Sequence, residues 1–366
     1  VRYDAELGAA LSQEWDRLVA AHPGADVTQL CGWGRLRRTA GYQPSYLLAY
    51  RGGQLVGGAQ LLRRRLPVAG AIGYLPYGPL MFTTTEPDTV AAALSDALRD
   101  LPALGLKALF IQPPDAGHPL SEQLLSLGFR HSNAGIAPRA SARLDLRLPE
   151  DQLRAGLGRK LRRWSTRWAG HGVHTRLGDH TDLVLLSRLH AHTAAHHRFT
   201  PLSIDYLARL YHELTPSEHA HLFIAEVNTI PVAALLATGC GGVLKTRISG
   251  FDRTTTNTEL RVPAAIRWHT IGWAQQHHYR WFDFGGLSAP STHRLLTGQP
   301  LTTTALPGPD QFKLSFGATP YAYPPAVELI APGVRHLYDL STHTPGAHHL
   351  QTLLRAALRG GHHTRQ

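Results

Sequence analysis

Apolar and polar positions alternate along this chain in short blocks whose period switches repeatedly between helix and strand. Glu6–Ala20 places Leu7, Leu11, Trp15 and Leu18 on one side, and Pro23-Gly24 closes the segment, which predicts an amphipathic helix. Leu30, Trp33 and Leu36 recur at helical spacing through Gln29–Arg38. Ser45–Tyr50 and Leu55–Leu62 read as strands joined by a turn at Arg51-Gly52-Gly53-Gln54, with Gly57 and Gly58 marking a bulge or close crossing. Ile72–Phe82 reads as an aromatic loop. Helices follow at Asp88–Asp100 and His118–Leu127, with strands at Ala108–Gln112 and Arg143–Leu148.

The second half repeats this order. Pro149–Ala169, Asp182–His197 and Ser203–Leu214 have helical periodicity. His221–Glu226 and Val232–Thr238 form a hairpin around Asn228, and Val243–Ile248 supplies another strand. Thr254–Thr258 reads as a polar loop before a long helix, Val262–His277, and Tyr279–Phe284 as a strand. Beyond it, Ser291–Ala305 reads as a loop or lid, Phe312–Phe316 and Val327–Ile330 as strands, His336–Leu340 and Gly346–Arg359 as helices, and His362–Gln366 as a frayed end. The echo between halves predicts an α/β protein built as a tandem duplication with mixed sheets.

Composition narrows the function classes. The 366 residues are 43% hydrophobic, enough for two or three real cores. Glycine and proline are frequent but aperiodic, so a fibrous protein is excluded. No apolar run approaches the length of a membrane-spanning helix. Cys31 and Cys240 are the only cysteines, which argues against a disulfide framework and for a reducing compartment; the expected location is the cytoplasm. Lys and Arg outnumber Asp and Glu by 37 to 26, a balance of +11 that favours anionic partners without choosing among nucleic acid, phosphorylated ligands and anionic lipid.

Candidate chemistry concentrates in a few stretches. Tyr279–Gly286 (YRWFDFGG) sets Asp283 just before paired glycines, where a turn after a buried strand admits a ligand or a neighbouring backbone. Gln311–Gly317 (QFKLSFG) sets Lys313 among apolar residues, either as a snorkelling surface lysine or as a cation at the rim of an apolar cleft. Arg159, Lys160, Arg162, Arg163 and Arg167 surround Trp164 and Trp168, which lie four apart on one helix face. Those cations are either solvated or contact RNA phosphate, and the tryptophans read as core. Arg35, Arg37 and Arg38 end the Gln29–Arg38 helix as a solvated face or a phosphate clamp. His190, His192, His196 and His197 imitate a metal cluster, but no HExxH glutamate accompanies them and the chain holds 23 histidines, so no metal is expected.

Taken together, Gln29…Trp33…Arg37, the Tyr74…Tyr77-Gly78-Pro79 loop, the arginine-rich Gly158–Gly172 segment and Asp283-Phe284-Gly285-Gly286 followed by Phe312-Lys313…Phe316-Gly317 resemble the Fem-type (FemA/FemX-like) aminoacyl-tRNA-dependent transferases over about residues 26–320. The resemblance is to members without a coiled-coil arm. It implies two tandem acetyltransferase-like (GNAT) domains, expected here as 1–145, completed by elements from about 318–366, and 146–317. It also implies transfer of an aminoacyl group from charged tRNA to a primary amine of a peptidoglycan precursor, such as a UDP-muramyl peptide, or of a peptide-like natural product. Lys313 would lie at the transfer site. Arg37, where many members carry lysine, and Arg198 would hold acceptor phosphate beside Trp33, Tyr74 and Tyr77. The Arg159–Arg167 cations would meet tRNA. Asp283 is the candidate proton acceptor. Aminoacyl-tRNA is the co-substrate, no cofactor is implied, and a monomer is expected. Two alternatives stay open: an acyl-CoA N-acyltransferase of the same fold, and a basic RNA-binding protein without turnover. The Phe251–Thr258 loop has no glycine after Gly250, which argues against cradling the coenzyme pyrophosphate, although any helix start offers free N–H groups to an anion.

Overall fold

The structure, a computed structural model, describes residues 1–66, 70–82, 85–101, 105–301 and 306–343. The helix expected at Gly346–Arg359 and the end of the Ser291–Ala305 segment lie outside the described residues. The chain forms two compact units, Val1–Arg139 with Tyr323–Gln366, and Ala140–Ala322.

The first unit carries a mixed sheet. Its strands run in the order Arg2–Asp4, Gln43–Arg51, Gln54–Leu66, Gly70–Leu75, Leu106–Ile111, Val327–Ile330 and Arg130–His131, with Leu80–Met81 beside Gln54–Leu66. Gly70–Leu75 and Leu106–Ile111 pair in parallel, as a helical crossover (Pro87–Asp100) requires. The expected hairpin register slips once, between Ala49 and Tyr50. Gly58 lies where a Cβ would approach the Leu47 carbonyl oxygen to 2.4 Å. The segment expected as one aromatic loop instead contributes the Gly70–Leu75 and Leu80–Met81 strands.

The second unit repeats the plan. Its strand order is Thr319–Ala322, Ala140–Asp145, Trp281–Gly286, Val243–Phe251, Ile230–Cys240, Ala220–Val227 and Val173–Gly178. Val243–Phe251 and Trp281–Gly286 are parallel and joined through the Val262–Gln276 helix. Leu183, Leu186 and Leu189 are buried on the Leu183–His197 helix, as their spacing predicts. Trp168, Phe223, Phe282, Phe284 and Phe316 share the core of this unit.

Several local expectations are corrected. Phe312–Phe316 is not a strand: Gly308–Leu314 is a helix with Pro309 at its second position and Asp310 in its first turn. Proline presets the helical φ and an acidic first turn suits the helix dipole, and both signals lie upstream of the stretch that alternates. Thr255–Glu259 is a short helix rather than a loop, and the Ala289–Leu296 helix overlaps the start of the expected lid. Pro149–Ala169 is two helices, Glu150–Gly156 and Arg159–Trp164, separated by Leu157-Gly158. Trp168 is buried and donates from its indole N–H to the Leu260 carbonyl (2.8 Å), while Trp164 is half-buried. The strand expected at Arg143–Leu148 runs Ala140–Asp145, and that at Tyr279–Phe284 runs Trp281–Gly286. No helix among the described residues is long and apolar enough to cross a membrane. Cys31 and Cys240 are buried free thiols.

Candidate active site

The two parallel strands of the second unit part company early. Val243, Leu244 and Lys245 pair with Trp281, Phe282 and Asp283, and the pairing stops there. Beyond that point the strands flank a cavity of about 480 Å³. Ser249, Gly250 and Phe251 line it from one strand and Phe284 from the other. The start of the Val262–Gln276 helix and the Gly308–Leu314 helix close its sides. A strand edge that stops pairing leaves backbone groups open to a ligand in such a wedge.

Lys313 lines this cavity. Its ammonium donates to the carbonyl of Gly286, at the end of the Trp281–Gly286 strand, and sits 3.9 Å from the Asp310 carboxylate one helical turn away. Its side chain is 20% exposed. Burial pushes its pKa down; Asp310 and Asp283 oppose that shift and Arg267 adds to it. Lys313 is therefore a rim cation held by a carbonyl rather than a snorkelling surface lysine.

Asp310 is fully buried and ties two elements together. Both its oxygens accept from the Ser288 backbone N–H (3.3 and 3.1 Å), and one also accepts from the Ser288 hydroxyl. Ser288 in turn caps the Ala289–Leu296 helix. The turn that supplies the Gly286 carbonyl is thus anchored to the helix that supplies Lys313.

Asp283 has no solvent exposure and a different set of partners from that of an open base. One oxygen accepts from Arg143 Nε (3.1 Å) and Ser141 Oγ (3.2 Å); the other accepts from the Gly285 N–H (2.8 Å). Arg143 is itself 5% exposed and stacks on Tyr321 at 3.8 Å. Gly285, at φ +89°, makes the turn that a side chain would strain. The structure thus uses Asp283 as a buried counterion and turn anchor.

The rest of the cavity wall is basic and apolar. Arg253, Arg261 and Arg267 line it with Lys313 and His197, and none of its described lining residues is acidic. Arg253 donates to His197 Nε2 at 3.0 Å. Arg267 donates to the Pro263 carbonyl (2.9 Å) and Ser249 hydroxyl (3.2 Å) and lies over the Phe312 ring (5.0 Å). Burial pushes its pKa down to about 10.

The remaining expected site residues fall in several places. In the first unit, the buried Gln29 side chain donates to the Pro76 carbonyl (2.5 Å) and accepts from the Gln60 N–H (2.7 Å). This pair fastens the aromatic segment holding Tyr74 and Tyr77 to the strand behind the Cys31–Arg38 helix that carries Trp33 and Arg37. Arg37 is 7% exposed, with its guanidinium 4.8 Å above the Tyr42 ring, where Arg64 also stacks (5.6 Å). Trp33 and Tyr74 are half-buried; Tyr77 is buried in the left-handed region (φ +49°), beside Tyr323. Arg198 is exposed, caps the Leu183–His197 helix in a left-handed conformation (φ +57°) and does not line the cavity. Arg159, Lys160, Arg162, Arg163 and Arg167 are all exposed, and among the described residues none pairs with a carboxylate. The histidines at 190, 192, 196 and 197 form no group able to hold a metal among the described residues; His190 packs on Phe199 instead.

Sequence reading missed Arg143, Arg267 and Asp310. A signal existed for two of them. Arg267 is a lone charge in the otherwise uncharged run Val262–Gln276, and Asp310 stands three residues before Lys313.

Each unit therefore has an acetyltransferase-type plan, and in the second the parting strands frame a basic cavity. The profile described as an acetyltransferase (GNAT) domain matches residues 151–298. The crystal structure of FemX superposes with a TM-score of 0.78 at 18% identity, covering 93% of this chain and 99% of that one. That of L-PGS from Bacillus licheniformis gives 0.54 at 11% identity, with 97% of each chain covered. In sequence, the lipid II:glycine glycyltransferase of Staphylococcus aureus is 25% identical over 228 residues, 59% of this chain and 54% of the relative. The chain is homologous in sequence to this glycyltransferase and shares the fold of FemX. It spans about half the length of the curated relatives it matches.

Proposed function

We propose that this protein transfers the aminoacyl group of a charged tRNA to a primary amine of a peptidoglycan-type acceptor, working in the cytoplasm. The observation that carries this reading is Lys313: a desolvated ammonium at the rim of a cavity with no acidic side chain among its described lining residues, in a chain homologous to a lipid II:glycine glycyltransferase. The donor ester is already activated, so the main tasks are alignment and oxyanion stabilisation. The acceptor nitrogen attacks the ester carbonyl carbon, a C–N bond forms, and negative charge collects on the carbonyl oxygen. Collapse breaks the bond to the ribose oxygen, which leaves with the proton that the amine gives up. Lys313, fixed by the Gly286 carbonyl and Asp310, offers its remaining N–H groups to the developing charge. Asp283 acts by holding the turn through Arg143 and Gly285. We assign Arg37, with Trp33, Tyr74 and Tyr77, to the acceptor, and Arg159, Lys160, Arg162, Arg163 and Arg167 to tRNA phosphate. Arg198 is the weaker acceptor candidate, since its backbone caps a helix outside the cavity wall.

A second reading, N-acyl transfer from acyl-CoA, draws on the acetyltransferase profile at 151–298 and on the helix start at Val262 beside the cavity. The experiment that separates the two incubates the purified protein with labelled aminoacyl-tRNAs and, in parallel, acyl-CoA thioesters. UDP-muramyl pentapeptide and a panel of non-phosphorylated amines serve as acceptors. Amide product from aminoacyl-tRNA, reduced by about 10²-fold or more in folded Lys313→Met, is the expected result. Near-normal turnover by K313M, or product from thioester alone, overturns the reading.

A further inference from the structure

Arg267 is a half-buried cation whose described partners are all neutral. A guanidinium carries five N–H donors, and the two hydrogen bonds to Pro263 and Ser249 leave the others uncommitted among the described residues. Those two bonds and the Phe312 ring fix the group in place without neutralising it. Elsewhere in this unit a buried arginine has its carboxylate: Arg143 has Asp283 at 3.1 Å. Arg267 has none among the described residues, and the cavity that it lines with Lys313, Arg253 and Arg261 shows no acidic side chain there. A half-desolvated guanidinium on the wall of a basic cavity favours an anionic ligand that supplies the opposite charge there.

We propose that Arg267 binds a phosphate of the acyl donor inside this cavity. The inference rests on the donor-cavity reading above and deepens it: the ligand class is a phosphate ester, planar-fork recognition is the role, and Arg267 rather than Lys313 sets donor affinity. Two donors share that chemistry, the 3′ end of a tRNA and coenzyme A. Arg253 and Arg261 are less suited to the central role, since Arg253 is exposed and already shared with His197, and Arg261 serves as the left-handed cap of the Val262–Gln276 helix.

The test measures binding directly, without turnover. Calorimetric titrations of the whole chain use the 5′-phosphorylated trinucleotide CCA, coenzyme A and unphosphorylated adenosine, with wild type, Arg267→Met and Arg267→Lys. Wild type is expected to bind a phosphate-bearing probe better than adenosine. R267M should lose that advantage by at least about 10-fold, the scale of one charge-assisted contact. R267K should restore part of it, and the salt dependence of binding should fall by about one phosphate's share in R267M. The apo melting temperature of R267M should stay level or rise, since removing a half-buried charge that has no carboxylate among the described residues relieves its partial desolvation; a structural arginine would lower it. Preference for the trinucleotide identifies tRNA as the source of the phosphate, and preference for coenzyme A identifies the thioester. Equal affinity in R267M and wild type, or no phosphate-dependent binding by wild type, overturns the assignment. A destabilised R267M whose binding R267K fails to restore also overturns it, in favour of a structural role. Arg267-dependent phosphate binding in a protein that transfers no aminoacyl group would uphold the site while refuting the proposed function.

Discussion

Asp283→Ala separates a structural carboxylate from a catalytic base. The substitution leaves Arg143 5% exposed with its carboxylate gone, and removes the acceptors for Ser141 Oγ and the Gly285 N–H. Breaking a buried ion pair from one side costs about 3–5 kcal/mol, because the surviving charge stays desolvated. For a cooperative unit the size of Ala140–Ala322, that corresponds to a fall in melting temperature of about 6–20 °C. The Tyr321 ring, 3.8 Å from the Arg143 guanidinium, partly cushions the charge and places the expectation toward the lower end. Calorimetry and urea unfolding of the whole chain supply the measurement. The double variant Arg143→Met/Asp283→Ala should recover most of the loss, since an apolar replacement of both partners removes the desolvation cost along with the attraction. Transfer should decline in D283A because the Gly285–Gly286 turn that receives the Lys313 ammonium loses its anchor. A loss of stability below about 1 kcal/mol would refute the counterion account. So would Asp283→Asn with wild-type stability and abolished transfer, which is the behaviour of a base.

Asp310 raises the pKa of Lys313 against the effect of burial, with Asp283 also raising it and Arg267 lowering it. Asp310→Asn should therefore move the alkaline limb of the kcat/KM profile to lower pH, because Lys313 loses its proton sooner; an unmoved limb in a folded variant would remove Lys313 ionisation from the mechanism. Gly250→Ala should cost about 1–3 kcal/mol, since its Cβ would lie 2.3 Å from the Leu189 carbonyl carbon on the packed Leu183–His197 helix. Gly272→Ala, with nothing within 4 Å of the added carbon, should instead stabilise the Val262–Gln276 helix by up to about 1 kcal/mol; thermal unfolding of the two variants reads both signs.

Local periodicity carries information wherever one element's buried face is decided by its own sequence. Leu183, Leu186 and Leu189 announced their helix, and Gly52-Gly53 announced a hairpin, because a helix face or a tight turn is settled within a few residues. The tandem mixed-sheet plan was legible for the same reason, as two passes through one order of elements. Where local signals competed, reading failed: Phe312–Phe316 alternates like a strand, yet Pro309 and Asp310 start a helix that carries Lys313 to the cavity. The site itself lies beyond local reach. Asp283 meets Arg143 from 140 positions away, Lys313 reaches the Gly286 carbonyl across 27, and Arg267 meets Ser249 across 18. Sequence could mark Lys313 and Asp283 as charges among apolar neighbours. Which charge has a carboxylate partner and which has none among the described residues depends on strands that pair as far as Lys245 and Asp283 and then separate, and only the packed chain decides that.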